Sequence, residues 1–142
     1  MSSPEELARQ NIDALLAKCG WTLQNRTTIN LDAARGVAIR EGLLKGGEAD
    51  YLLFGDGKAI GTIEAKPEGH TLTGVEEQSG KYGKGLLHIY PKWRELLSFA
   101  YESTGVETQF TNRRSCRRQK KAPRIPSGAL LCRAEIALSQ LQ

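Results

Sequence analysis

An α/β domain, built on a mixed sheet of four or five strands flanked by helices, is the fold class this sequence predicts, and three observations predict it. A capped amphipathic stretch opens the chain; two short apolar runs near the middle are joined by an Asp-Gly step; a second capped helical stretch separates that pair from two further extended runs. With 142 residues, 39% of them hydrophobic, the chain has enough for one ordinary core and a tail.

At the N-terminus, Ser3-Pro4-Glu5-Glu6 is a capping box with proline at the first helical position. Leu7, Ala8, Ile12, Leu15 and Cys19 supply the expected apolar stripe of that helix, and Gly20 its stop. Residues 21–23 and 37–40 read as extended, while 25–34 carry no clear pattern. Residues 49–54 form one apolar run and 59–66 a second, rich in Ile and Thr, with Gly55-Asp56-Gly57-Lys58 between them as a hairpin turn. After a break at Pro67-Glu68-Gly69-His70, Thr73 and Glu76 make another capping box and residues 75–86 read as a helix. Residues 96–103 and 108–112 read as two more strands, separated by Thr104-Gly105.

The hairpin carries Asp50, Glu64 and Lys66. Strand alternation groups Asp50 with Leu52 and Phe54, and Glu64 with Thr62 and Lys66. A turn centred on Asp56 and Gly57 sets Asp50 opposite Ile63 and beside Glu64. Two carboxylates about 4 Å apart repel by about 4 kcal/mol at an effective dielectric near 20, so such a pair calls for a proton, a cation or a metal. Hard oxygen ligands suit Mg²⁺ or Mn²⁺, which acidify a bound water and polarise a phosphoryl oxygen, and a neighbouring lysine can orient that water or meet developing charge. That is the chemistry of phosphodiester hydrolysis. The plainer alternative is an acid and a base two apart on the wet face of a strand; Asp56-Gly57-Lys58 repeats the pattern as simple turn chemistry. On the expected second helix, Gln78 and Tyr82 share a face with Val75 and Leu86, flanked by Lys81 and Lys84; these read equally as an edge of core and solvated surface.

Taken together, Gly47-Glu48-Ala49-Asp50-Tyr51-Leu52-Leu53, Ile63-Glu64-Ala65-Lys66 and Gln78-Ser79-Gly80-Lys81-Tyr82 resemble the N-terminal nuclease domain of the R (restriction) subunit of type I restriction enzymes. That domain belongs to the PD-(D/E)xK nuclease superfamily. Glu6-Leu7-Ala8-Arg9 and Phe99-Ala100-Tyr101-Glu102-Ser103-Thr104-Gly105 extend the resemblance over about residues 5–112. It implies a restriction-endonuclease-like core and a Mg²⁺-dependent DNA endonuclease, with Mn²⁺ as the alternative ion. By the same resemblance Asp50 and Glu64 are metal ligands, the Ala65 backbone carbonyl a further ligand, Lys66 the catalytic lysine, and Gln78 and Tyr82 a supporting Gln-x-x-x-Tyr motif. Glu6 is a weaker candidate, because a first-helix acid approaches the metal in some relatives. Ala49 stands where the superfamily name has proline, a position at which many members differ.

The resemblance also implies double-stranded DNA as a partner, together with the methylation and specificity subunits of a restriction complex if the chain forms part of a full R subunit. A catalytically silent DNA-binding or subunit-docking module of the same fold is the alternative function; a junction resolvase or repair nuclease of the same superfamily is a third. No G-x-x-x-x-G-K-[ST] phosphate loop occurs in the sequence, so ATP is not expected to bind this chain.

Charge divides the chain in two. Residues 1–112 carry 12 Lys/Arg against 15 Asp/Glu, a net of −3, and residues 113–142 carry 8 against 1, a net of +7. With the resemblance, which implies a nuclease domain over 1–112, the division predicts a basic tail over 113–142, either disordered or an altered terminus produced by a change of reading frame. If freely presented, Arg113, Arg114, Arg117, Arg118, Lys120 and Lys121 would bind nucleic acid nonspecifically and salt-sensitively. Cys19, Cys116 and Cys132 form no CxxC pair and are expected as free thiols. His70 and His88 are too few for a His-rich metal site. Neither an apolar span nor a signal-peptide pattern is present, and the expected location is cytoplasmic, away from the membrane.

Overall fold

The computed structural model describes residues 2–45, 47–69, 90–91, 99–112 and 125–126. Its single described helix, α1 (Pro4–Lys18), begins at the expected capping box: Ser3 Oγ accepts the Glu6 N–H at 3.2 Å, and Glu6 Oε2 accepts the Ser3 N–H at 2.9 Å. The buried stripe is Ala8, Ile12 and Leu16, with Leu15 and Cys19 partly buried, whereas Leu7 is 51% exposed. Four of the five expected stripe residues thus face the sheet, and Leu16 stands in for Leu7. A spacing of four from Ala8 runs to Leu16, while Leu7 lies about 100° further round the helix. Burying Ile12 and Leu16 stabilises the helix–sheet contact by about 2 kcal/mol each.

Among the described residues seven strands lie side by side in chain order: β1 (Thr22–Asn25), β2 (Gly36–Leu44), β3 (Gly47–Gly55), β4 (Lys58–Ala65), β5 (Phe99–Ser103), β6 (Glu107–Asn112) and β7 (Ile125–Pro126). β1–β2 and β4–β5 are parallel and the remaining neighbours antiparallel, so the sheet is mixed and the fold α/β. The five longer strands, β2 to β6, agree with the four or five expected, and the two short additions are at the edges. β1 has four residues and β7 two, lengths at which pairing is decided by the neighbouring strand rather than by an apolar pattern. β7 comes from the segment expected to be a tail; its Pro126 is tolerated because an edge strand can spare a donor. A parallel β4–β5 pair needs a crossover, and residues 66–98 supply it; the expected helix over 75–86 belongs to that connection and lies outside the described residues.

The sheet has two apolar faces. Trp21, Ala38, Tyr51, Leu53, Ile60, Ile63, Ala65 and Tyr101 pack with α1, and Val37, Ile39, Leu44, Ala49, Leu52, Phe54, Ala59 and Tyr90 make a second cluster on the far face. There Phe54 and Tyr90 meet edge to face at 5.6 Å between ring centroids. The β3–β4 turn is the Asp-Gly hairpin the sequence predicts: Asp56 and Gly57 have φ of 49° and 79°, the left-handed pair of a type I′ turn. Among the described residues no helix is long and apolar enough to cross a membrane. Cys19 is disulfide-bonded, which corrects the expectation of a free thiol, since pairing follows spatial proximity and not the spacing of cysteines along the chain.

Candidate functional site

Two irregularities in the sheet set the position of Asp50. The first is a one-residue register shift in the hairpin: Gly55 pairs with Lys58 and Phe54 with Ala59, but Leu53 pairs with Gly61 and Tyr51 with Ile63. Ile60 and Ile63, three apart, consequently both face α1, which strict alternation forbids and a bulge permits. The regular hairpin expected from the sequence places Asp50 opposite Ile63; the bulge places Tyr51 there, and Asp50 one rung further along, level with Glu64.

The second irregularity is Glu41, whose φ of 55° is left-handed for a residue with a side chain. It lies in β2 between the pairs Arg40↔Tyr51 and Gly42↔Ala49, across from Asp50. Past it the strands change phase: Ala38 packs on the helix side but Leu44 on the far side, and Tyr51 on the helix side but Ala49 on the far side. Gly42 accommodates the change, since a Cβ there would come 2.4 Å from the Leu52 Cβ. Asp50 is thereby turned toward α1 with Tyr51, and not grouped with Leu52 and Phe54 as alternation alone predicts.

The turned carboxylate is almost enclosed, at 8% side-chain exposure, and each oxygen has a donor. Oδ2 accepts the Ala65 N–H at 2.8 Å, and Oδ1 accepts a hydrogen bond from Arg9 Nη2 on α1. Arg9 Nη1 is 3.8 Å from Glu41 Oε1, and Arg9 Nε is buried with no hydrogen-bond partner among the described residues. Burial works to lower the Arg9 pKa, and the Asp50 carboxylate, with Glu5 and Glu41 adding to it, outweighs that effect, so the guanidinium is held more firmly charged than usual. Beside this pair lies a cleft of about 300 Å³ between α1, β2 and β3, bordered by Glu6, Gln10, Asn25 and Glu41.

Of the other sequence-predicted residues, Ala65 is joined to Asp50 through its backbone. Glu64 occupies the alternate position, buried at 7%, in register with Glu102 of β5 at 5%. Lys66 follows the end of β4, half-buried, its N–H donating to the Ser103 carbonyl at 2.8 Å. The carboxylate of Glu6 borders the cleft but is engaged in capping α1. Gln78 and Tyr82 lie outside the described residues.

Sequence reasoning missed a second polar cluster one helical turn along α1. Asp13 Oδ2 accepts from Arg40 Nη2 at 3.1 Å, Arg40 Nε lies 3.3–3.4 Å from both carboxylate oxygens, and the Tyr51 hydroxyl is 2.6 Å from Asp13 Oδ1 and 2.9 Å from the Arg9 carbonyl. Burial, reinforced by the hydrogen bond to Asp13 and that residue's charge, raises the Tyr51 pKa well above the usual phenol value. The available signal was Arg9 and Asp13 at a spacing of four on one helix face, opposite a strand carrying Arg40.

Chemically the strand end holds a carboxylate, Asp50, neutralised by a guanidinium on the α1 side, while Glu64 lies on the opposite face of the sheet, and among the described residues no three acids, histidines or cysteines come together as a metal site. The chain matches no family model, no curated protein and no solved structure.

Proposed function

We propose that this chain is a Mg²⁺-dependent DNA endonuclease module of the PD-(D/E)xK kind, resembling the nuclease domain of a type I restriction R subunit and working in the cytoplasm on double-stranded DNA. The observation that carries the reading is the 2.8 Å hydrogen bond from the Ala65 N–H to Asp50 Oδ2, which ties the first acid to the middle of the Glu64-Ala65-Lys66 triplet. Asp50, Glu64 and the Ala65 carbonyl are oxygen donors of the type a hard divalent ion takes, but Asp50 faces α1 and Glu64 the opposite side of the sheet, so among the described residues they do not converge on one ion. In this reading Lys66 orients the nucleophile or meets charge on the phosphate, and Gln78 and Tyr82 support the DNA strand.

The test is nicking of supercoiled plasmid by the purified full chain with Mg²⁺. Weak nicking is expected, abolished by chelation and by either Asp50→Ala or Lys66→Ala; removal of such a group costs on the order of a hundredfold or more in rate. Cleavage that survives Asp50→Ala rejects the site. The second reading, a silent DNA-binding or subunit-docking module, is favoured by one observation, the occupation of Asp50 by Arg9. DNA binding without cleavage, unaffected by Asp50→Ala, would support it.

A further inference from the structure

Beyond the pair Tyr51↔Ile63 the two strands of the hairpin part. β3 goes on with β2 through Ala49↔Gly42, and β4 with β5 through Glu64↔Glu102 and Ala65↔Ser103. Successive N–H groups of a strand point to opposite sides, and the Lys66 N–H is engaged by the Ser103 carbonyl of β5, so the Ala65 N–H faces the fork. There the Asp50 side chain takes the place of a β3 carbonyl: Oδ2 accepts the Ala65 N–H at 2.8 Å, and Oδ1 accepts from Arg9 Nη2 of α1. Glu41 of β2, left-handed at φ 55°, lies 3.8 Å from the same guanidinium. One carboxylate thus joins β3, β4 and the helix.

A carboxylate placed in this way is turned from Glu64. Ile63 and Ala65 pack on the α1 side, so Glu64 between them faces the other side, in register with Glu102. To share an ion with Glu64, Asp50 would have to give up both donors and cross the plane of the sheet. The cleft that Asp50 does face already holds two guanidiniums, Arg9 and Arg40, as counter-charges to its acids. We infer that Asp50 closes the fork between β3 and β4 onto α1 and is not a metal ligand in this chain. The inference departs from the metal-dependent form of the proposed function and rests on its second reading, the silent module, to which it adds a cause: the first acid of the motif is taken up by the fold.

Hydrogen exchange of the full chain, read by NMR at the Ala65 amide, tests the fork. Asp50→Ala should speed that exchange at least about tenfold, and Asp50→Asn, which keeps an acceptor, should speed it less. Equal rates in wild type and Asp50→Ala overturn the inference. Mn²⁺ tests the other half: titrated into the labelled protein, it should weaken the Ala65 signal equally in wild type and Asp50→Asn. Selective loss of that signal in the wild type, relieved by Asp50→Asn, places an ion on Asp50 and overturns the inference. Should Asp50→Ala not fold, Asp50→Asn and the Mn²⁺ titration still decide. The nuclease reading fails by a different result, the absence of Mg²⁺-dependent nicking, so either can fall without the other.

Discussion

Asp13 and Asp50 are both aspartates held by an arginine between α1 and the sheet and both line the same cleft, yet one is gripped by two arms of its arginine and the other by one. Asp13 has a bidentate arginine and a tyrosine hydroxyl, both from side chains. Asp50 has a strand-end backbone N–H and one arm of an arginine whose Nε has no hydrogen-bond partner among the described residues. The difference teaches how a fold grades two like ion pairs within a single helix turn. The bidentate pair holds the helix on the sheet more firmly, and the pair with an unpartnered Arg9 Nε less so.

If that grading holds, the largest loss of stability follows from damage to the bidentate pair. Asp13→Ala removes the carboxylate that the Arg40 guanidinium and the Tyr51 hydroxyl share, leaving the hydroxyl the Arg9 carbonyl and the guanidinium the Asn25 side-chain oxygen. The Asp13 side chain is 29% exposed, so water recovers part of the loss, and a destabilisation of about 2 kcal/mol is expected. Urea unfolding measures it, and a change below about 0.5 kcal/mol would break the comparison.

Tyr51→Phe removes one hydrogen bond and keeps the ring, at a cost of about 1 kcal/mol. Its pH dependence is more telling. The folded state raises the Tyr51 pKa above the unfolded value of about 10, so the neutral phenol's contribution is fully present below that pH and is lost as pH rises toward the folded pKa. Tyr101 is raised by burial and adds to the same alkaline loss in both proteins. Wild type should therefore lose more stability between pH 9 and 11.5 than Tyr51→Phe does. Parallel losses in urea melts at the two pH values would show that the hydroxyl is not held by Asp13.

How much of this was legible in the sequence follows from which interactions are local. The Ser3–Glu6 capping box and the Asp56-Gly57 turn are decided within four residues, and both stand as read. The helix stripe was read correctly at Ala8, Ile12, Leu15 and Cys19 and wrongly at Leu7, whose place Leu16 takes, because the two leucines are equally apolar and only the shape of the sheet chooses between them. The orientation of Asp50 was not readable at all. It depends on a bulge near Ile60 and on a left-handed Glu41, neither of which has a glycine at the irregular residue to announce it. The counter-ion was hidden for a similar reason: Arg9 meets Asp50 across 41 residues, a pairing set by the docking of α1 rather than by any motif.

The smallest expected effect is the one that most sharply separates the two aspartates. Asp50→Asn keeps an acceptor for the Ala65 N–H and removes only the charge facing Arg9, which can turn into the cleft and be hydrated. A stability change of less than about 1 kcal/mol is expected, smaller than that of Asp13→Ala, although Asp50 is the more deeply buried of the two at 8% against 29% exposure. Burial alone predicts the opposite order. Thermal unfolding of both variants under one buffer condition decides it: if Asp50→Asn costs more than Asp13→Ala, the Arg9 pair is at least as firm a joint as its neighbour.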